Sequence, residues 1–250
     1  MLLRRDTVPP RGFTRISPSH NSWTNNPRPK FIWHNTLDTL SGVDFYRIVG
    51  DDDNTPPPIF DIQTPGTTFT PLSNLPEDIV YWRVMAVDSA GNVVDAGPPI
   101  WWILKIDTTK PDTVKYIAPK DSAWVGRRIR FYWHTTNDYW AGVMRYRLRI
   151  DSTPDLSSGW PGTWIVYDTT CLILMKLSER MYWWVVVAED SAFNKSIPGD
   201  TWVFKVDTTV LAPINLTANG GAPSPWTNKD TFVIDWLNPP DSTGIKFALY

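Results

Sequence analysis

The residues of this chain best suited to chemistry are aspartates that return at a fixed interval. Asp6, Asp38 and Asp88 are answered by Asp107, Asp138 and Asp190, and Asn92 is answered by Asn194. Carboxylate and amide oxygens gathered in one place are the donor set of Ca²⁺, which takes about 6–8 oxygen ligands. No compact D-x-D-x-D-G loop supplies them locally, so a calcium site at Asp107, Asp138, Asp190 and Asn194 would have to be assembled by the fold. The competing reading is local: Asp and Asn side chains accept hydrogen bonds from their own backbone in Asx-turns and stop strands.

Other chemistry is poorly supplied. The histidines are His20, His34 and His134. His34 and His134 each follow a tryptophan within an apolar run, which turns them to the outer face, and neither has a partner at metal-ligand or triad spacing. Cys171 is the single cysteine, so no intrachain disulfide forms, and its apolar surroundings at Thr169–Met175 read as those of an inert buried thiol. There is no G-x-S-x-G, no Gly-rich phosphate loop and no H-E-x-x-H. Every recurring acid lies in a turn, so the chain is expected not to be an enzyme and to need no cofactor beyond a structural calcium. A formal net charge of −2 gives no electrostatic case for nucleic acid or an anionic membrane. No apolar run is long enough to cross a membrane, and Met1–Asp6 is too short and too polar for a secretory signal.

The elements that must position the aspartates are strands. The 23 prolines oppose long helices, and no stretch keeps helical apolar spacing. In Tyr81–Asp107, Ile79–Val87 is rich in β-branched and aromatic residues, Ser89–Asn92 is a turn, and Ile100–Ile106 is a second apolar run. The same text returns at Tyr182–Asp207. The punctuation Asp-Thr-Val/Thr recurs at Asp6, Asp107 and Asp207, Phe31–His34 returns at Phe131–His134, and Asp38–Gly42 returns at Asp138–Gly142. The interval of about one hundred residues is the size of one small domain. The expected division is 1–7 as the end of a preceding repeat, 8–109 and 110–209 as complete copies, and 210–250 as the start of a third. Val233–Trp236 and Asp241–Gly244 mark that third copy. A third copy stopping at Tyr250 cannot bury its own core, so the chain is expected to be a fragment of a longer repeat protein.

Seven strands are expected per copy. In the first they lie near Gly12–Ile16, Pro29–His34, Val43–Val49, Ile59–Gln63, Thr67–Thr70, Ile79–Val87 and Ile100–Asp107. In the second they lie near Val114–Ala118, Arg127–His134, Val143–Ile150, Gly162–Val166, Thr169–Met175, Met181–Glu189 and Thr201–Val206. The Asp51-Asp52-Asp53 run reads as a solvated acidic loop present in one copy only.

Trp33 on the second strand, Tyr46 on the third, and Leu75 six positions before Tyr81 resemble a fibronectin type III domain, the last pair looking like its tyrosine corner. The second copy offers Trp133, Tyr146 and Tyr182, with Leu177 five positions back. D-S-A-G-N before a final strand that ends in D-T-T-x-P is also similar to bacterial Ig-like surface repeats. The resemblance implies an all-β tandem of seven-stranded Ig-like, fibronectin type III-like β-sandwiches with the third truncated. In that topology the aspartate loops and the domain's N-terminus meet at one end. It also implies a non-catalytic, extracellular or cell-surface spacer or adhesive segment, bacterial in type. Its partners would be neighbouring repeats and a protein or glycan. The alternatives are a carbohydrate-binding accessory module and a non-catalytic part of a larger secreted hydrolase. Trp33 and Trp133 are expected in the core. In Trp101-Trp102 and Trp183-Trp184 one ring of each pair must face outward and cover neighbouring side chains. Trp140, Trp160 and Trp164, unique to the second copy, are the candidates for a glycan or protein contact.

Overall fold

The computed structural model describes residues 5–52 and 57–209 and, beyond them, the strands Ile214–Ala218 and Ile234–Leu237. No helix occurs among the described residues. In the first copy the strands are β1 (Arg15–Ser17), β2 (Ser22–Thr24), β3 (Phe31–Trp33), β4 (Val43–Asp51), β5 (Phe60–Thr64), β6 (Thr68–Phe69), β7 (Ile79–Asp88), β8 (Val93–Asp95) and β9 (Trp102–Ile106). One sheet is ordered β1-β3-β6 and the other β2-β9-β7-β4-β5, with β8 also on β7. The second copy repeats the plan with β10 (Tyr116–Ala118), β11 (Ala123–Val125), β12 (Ile129–Trp133), β13 (Val143–Asp151), β14 (Pro161–Val166), β15 (Thr170–Ile173), β16 (Met181–Asp190) and β17 (Trp202–Val206). Its sheets are β10-β12-β15 and β11-β17-β16-β13-β14. β18 (Ile214–Ala218) and β19 (Ile234–Leu237) pair antiparallel. The rest of 210–250, including Asp241–Gly244, lies outside the described residues, as does Asp53.

Where seven strands per copy were expected, the first copy has nine and the second eight. The reason is local. Pro18 and Pro119 have no N–H to extend a ladder, so the first strand of each copy breaks there. The chain then crosses to the other sheet as a three-residue strand. β2 and β11 run parallel to β9 and β17. The expected hairpin is divided too: Met85–Val87 of β7 pair with β8, and Ile79–Trp82 pair with β9.

Each copy buries alternate residues of its strands. Phe31, Trp33, Tyr46, Ile48, Val80, Trp82, Val84, Leu104 and Ile106 form one core. Phe131, Trp133, Trp184, Val186 and Phe204 are buried likewise, with Phe131 edge-on to Trp184 at 5.0 Å. Trp33 and Trp133 are therefore core residues, at 1% and 2% exposure. The outer ring Trp101 lies under the Arg83 guanidinium at 5.3 Å, which covers an arginine stem as expected.

The tyrosine-corner assignment is corrected. Tyr81 alternates with the buried Val80 and Trp82 and faces outward; the position matching Tyr182 is Val80. A slip of one residue flips a strand side chain to the opposite face. Only Tyr182 is buried with its hydroxyl at Ser178, 3.0 Å from Oγ and 3.3 Å from the carbonyl oxygen. The corner thus belongs to the second copy, although its leucine spacing is the weaker match.

The chain divides into two compact units. One is Met1–Val114 with Thr136–Tyr146 and Val187–Ile197; the other is Lys115–Thr135, Arg147–Val186 and Pro198–Tyr250. Asp6, Asp38, Asp88, Asp107, Asp138 and Asp190 all fall in the first unit.

Candidate functional site

The recurring aspartates converge as two triplets. One oxygen from each of Asp6, Asp38 and Asp88 lies within 4.8 Å of the others, and the same holds for Asp107, Asp138 and Asp190. Each triplet is built by the same devices. Tyr46 and Tyr146 accept hydrogen bonds at their hydroxyls from the amides of Thr36 and Thr136, at 2.8 and 3.3 Å, and so seat the loops that follow. Those loops then wrap an aspartate. Asp38 Oδ1 accepts from the amides of Leu40, Ser41 and Gly42, and Asp138 Oδ1 accepts from Ala141 and Gly142. Gly42 and Gly142 close the wrap with φ of 78° and 64°, a left-handed backbone that glycine adopts without steric cost. The turn after β7 and that after β16 bring Asp88 and Asp190 to the same loops through Ser89 N to Gly42 O and Ser191 N to Gly142 O.

The second triplet is the more buried. Asp107 and Asp190 are fully buried. Asp107 Oδ1 accepts from Thr109 N and Oδ2 from Ala141 N, both at 2.9 Å, while its carbonyl accepts from Asn194 Nδ2 at 2.8 Å. Asp190 accepts from the backbone N and Nδ2 of Asn194. Asp138 Oδ2 is buried with no hydrogen-bond partner. Burial pushes the carboxyls of Asp107 and Asp190 above the ordinary carboxylate value, and repulsion from Asp138 adds to it. In the first triplet the balance reverses. Burial opposes ionisation of Asp38 and Asp88, but hydrogen bonds from backbone amides, and at Asp88 also from the Asn92 side chain, outweigh it and hold both below the usual range. Three close carboxylates with an unpaired oxygen can take a hard cation in oxygen coordination, and Asn194 can add its side-chain oxygen.

Two further recurring acids emerge only in the structure. Asp51 is buried, contrary to the solvated loop expected there, and it matches Asp151. Asp151 gathers Thr153, Ser158 and Gly159, whose hydrogen bonds outweigh burial and hold its carboxyl far below the usual range. Glu77 accepts from the Thr108 amide at 2.8 Å and from the hydroxyls of Thr108 and Thr109, and Glu179 does the same for Thr208 and Thr209. Their sequence signal is a near-constant offset from the D-T-T segments.

The three second-copy tryptophans are spread along the chain: Trp140 precedes β13, Trp160 follows it, and Trp164 lies on β14. Trp140 and Trp160 are 40% and 42% exposed. Trp140 stands edge-on to Tyr139, and Trp160 packs on Tyr182 at 5.8 Å. None of the three meets another in a ring contact among the described residues. His34 is exposed and Nδ1 meets Thr14 Oγ1 at 2.9 Å; His20 Nδ1 accepts from Ile103 N at 3.1 Å. Cys171 is half-buried rather than fully so, and burial raises its thiol.

No protein-family model matches the chain, and no curated protein matches its sequence. Among solved structures it is similar to the fibronectin(III)-like modules of Clostridium thermocellum CbhA, at 17% identity and a TM-score of 0.53, covering 78% of this chain and 94% of that one. A second match is chicken CNTN1 FN1-FN3 domains, at 16% identity and a TM-score of 0.47, covering 82% and 70%. At this identity the CbhA match speaks for the fold, and it agrees with the paired sheets and aromatic cores described above: the chain is all-β and has the fold of fibronectin(III)-like modules.

Proposed function

We propose that the chain is a non-catalytic spacer and interaction scaffold of a secreted or cell-surface protein of bacterial type, made of repeats that divide near residues 8–109 and 110–209. The observation that carries this reading is Asp107. It follows the last strand of the first copy, is fully buried, and has both carboxylate oxygens and its carbonyl engaged, by Thr109, Ala141 and Asn194. Thr108 and Thr109 are tied back to Glu77. A repeat boundary fastened by buried polar contacts suits a segment that transmits load rather than a free linker, because breaking it leaves buried donors and acceptors unpaired. In this reading Ca²⁺ joins Asp107, Asp138, Asp190 and Asn194 and fastens the boundary further.

Single-molecule pulling of the full chain between its ends tests the proposal. Discrete unfolding events are expected, each releasing about 330 Å of contour for a repeat of about 100 residues. Smooth extension without such events would overturn the load-transmitting role.

A further inference from the structure

The second unit carries a basic cavity that the aspartate chemistry does not use. It encloses about 350 Å³ between the start of β12 and the segment after β15. Its floor is Ile129, Leu177 and Val206, each at least nine-tenths buried. Arg127, Arg128 and Lys176 stand exposed around it, and none of the three makes a hydrogen bond or ion pair with a described residue. The first copy is built differently at the matching place. There Leu75 N donates to Pro27 O at 2.8 Å, and Arg28 Nε donates to Pro71 O at 2.9 Å, so its arginine serves its own backbone.

Val206 also borders a second hollow of about 330 Å³ that contains Trp124, Arg180 and Lys205. Trp124 is 46% exposed, with Lys205 Nζ over its ring at 5.3 Å. The same hollow holds the carboxylates of Glu179 and Asp207, which accept hydrogen bonds from Thr208 and Thr209.

We propose that this face of the second unit binds a uronate-bearing oligosaccharide. The guanidinium of an arginine matches a carboxylate with two parallel N–H donors. An apolar floor suits the C–H face of a pyranose ring, and Lys205 over the exposed Trp124 ring adds a further cation beside it. A cavity of this volume lies at the lower end of the range for small-ligand sites, about 300–1,000 Å³. Three cations without acidic partners around one apolar hollow call for an anionic ligand by charge complementarity.

The test is isothermal titration of the full chain with a hexuronate oligosaccharide, its neutral counterpart of equal length, and a glutamate-rich peptide of equal charge. Binding of the hexuronate that weakens at high salt is expected, with no measurable heat from the neutral sugar. In the double variant Arg127→Ala/Arg128→Ala, whose side chains make no hydrogen bond or ion pair with a described residue, affinity falls at least about tenfold. Arg130→Ala, on the neighbouring exposed face of β12, leaves affinity unchanged. The absence of hexuronate binding overturns the proposal, and so does equal binding of the neutral sugar. Tighter binding of the peptide reassigns the face to acidic polypeptides and overturns the saccharide reading. An equal loss in Arg130→Ala reduces the effect to overall charge and overturns the site.

Discussion

The two aspartate triplets have the same parts and opposite electrostatics. In the first, Asp38 takes three backbone amides on one oxygen and Asp88 takes two plus the Asn92 side chain, so ionisation is favoured. In the second, Asp107 and Asp190 are fully buried and are repelled by Asp138, so ionisation is resisted. Asn92 reaches Asp6 and Val8 only at 3.4 Å, whereas Asn194 holds Asp107 at 2.8 Å. The repeat keeps the ligand types, and burial changes what they cost. In the second triplet burial and repulsion oppose ionisation of Asp107 and Asp190, whereas in the first hydrogen bonds favour it at Asp38 and Asp88. Even so, Asp6 Oδ2, like Asp138 Oδ2, is buried without a hydrogen-bond partner.

The largest consequence concerns the asparagines. Asn194→Ala removes two short bonds and leaves an Asp190 oxygen buried without a donor, so unfolding in urea should show a loss of about 3 kcal/mol. Asn92→Ala removes one short bond, to a buried Asp88 oxygen, and two at 3.4 Å, so it should lose less, about 2 kcal/mol. Equal losses would erase the distinction between the triplets.

Metal comes next. Saturating Ca²⁺ should raise the melting temperature, since a ligand at about one hundred times its Kd adds about 2.7 kcal/mol. Asp138→Asn should abolish that rise and, in EDTA, leave the melting temperature near its original value, because the lost repulsion of Asp107 and Asp190 offsets the weaker acceptor offered to the Ala141 and Gly142 amides. Asp38→Asn should instead lower the melting temperature, because an amide oxygen is a weaker acceptor for its three N–H donors. Identical curves with Ca²⁺ and EDTA would remove the calcium proposal and leave the triplets as turn formers.

The pH dependence separates the triplets by sign. Asp107 and Asp190 have folded values raised above 3.8, so the folded state binds more protons in that window and their contribution to stability falls as pH rises through it. Asp38 and Asp88 have folded values lowered from 3.8; their contribution is present above 3.8 and is lost as pH falls through the folded values. Denaturation of Asp107→Asn and Asp88→Asn between about pH 3 and 7 should therefore change the slope of stability against pH in opposite directions. Slopes shifted the same way would contradict the assignment.

The smallest effect lies in the turns themselves. Gly91 sits at φ 87°, but its counterpart is Phe193 at φ 71°, a conformation that costs a side-chain-bearing residue about 1 kcal/mol. Phe193→Gly should raise stability slightly, and Gly91→Phe should lower it by more. Thermal melts of the two variants check this.

Much of the fold is legible in the chain. Alternation places Trp33, Trp133, Phe31 and Phe131 in the core, and the D-T-T punctuation locates the last strand of each copy, because burial on one face imposes a period of two. Three-residue strands such as Ser22–Thr24 carry too few residues to show a period, so β2, β8 and β11 leave no trace in the pattern. Tyr81 and Trp82 are neighbouring aromatics that offer two registers one residue apart, and only packing chooses between them. The triplets are legible as residue types, whereas the unpaired Asp138 oxygen and the basic cavity around Ile129 depend on which neighbours remain unbonded after folding.

By itself, then, the sequence determined an all-β repeat with aspartates and asparagines in its turns, since strand period, proline content and turn residues act locally. Only the tertiary structure decided that Asp107 and Asp190 are buried beside Asp138 while Asp38 is stabilised by backbone amides. Charge energetics depend on desolvation and on distances between residues far apart in the chain, and neither quantity exists until the sheets have packed.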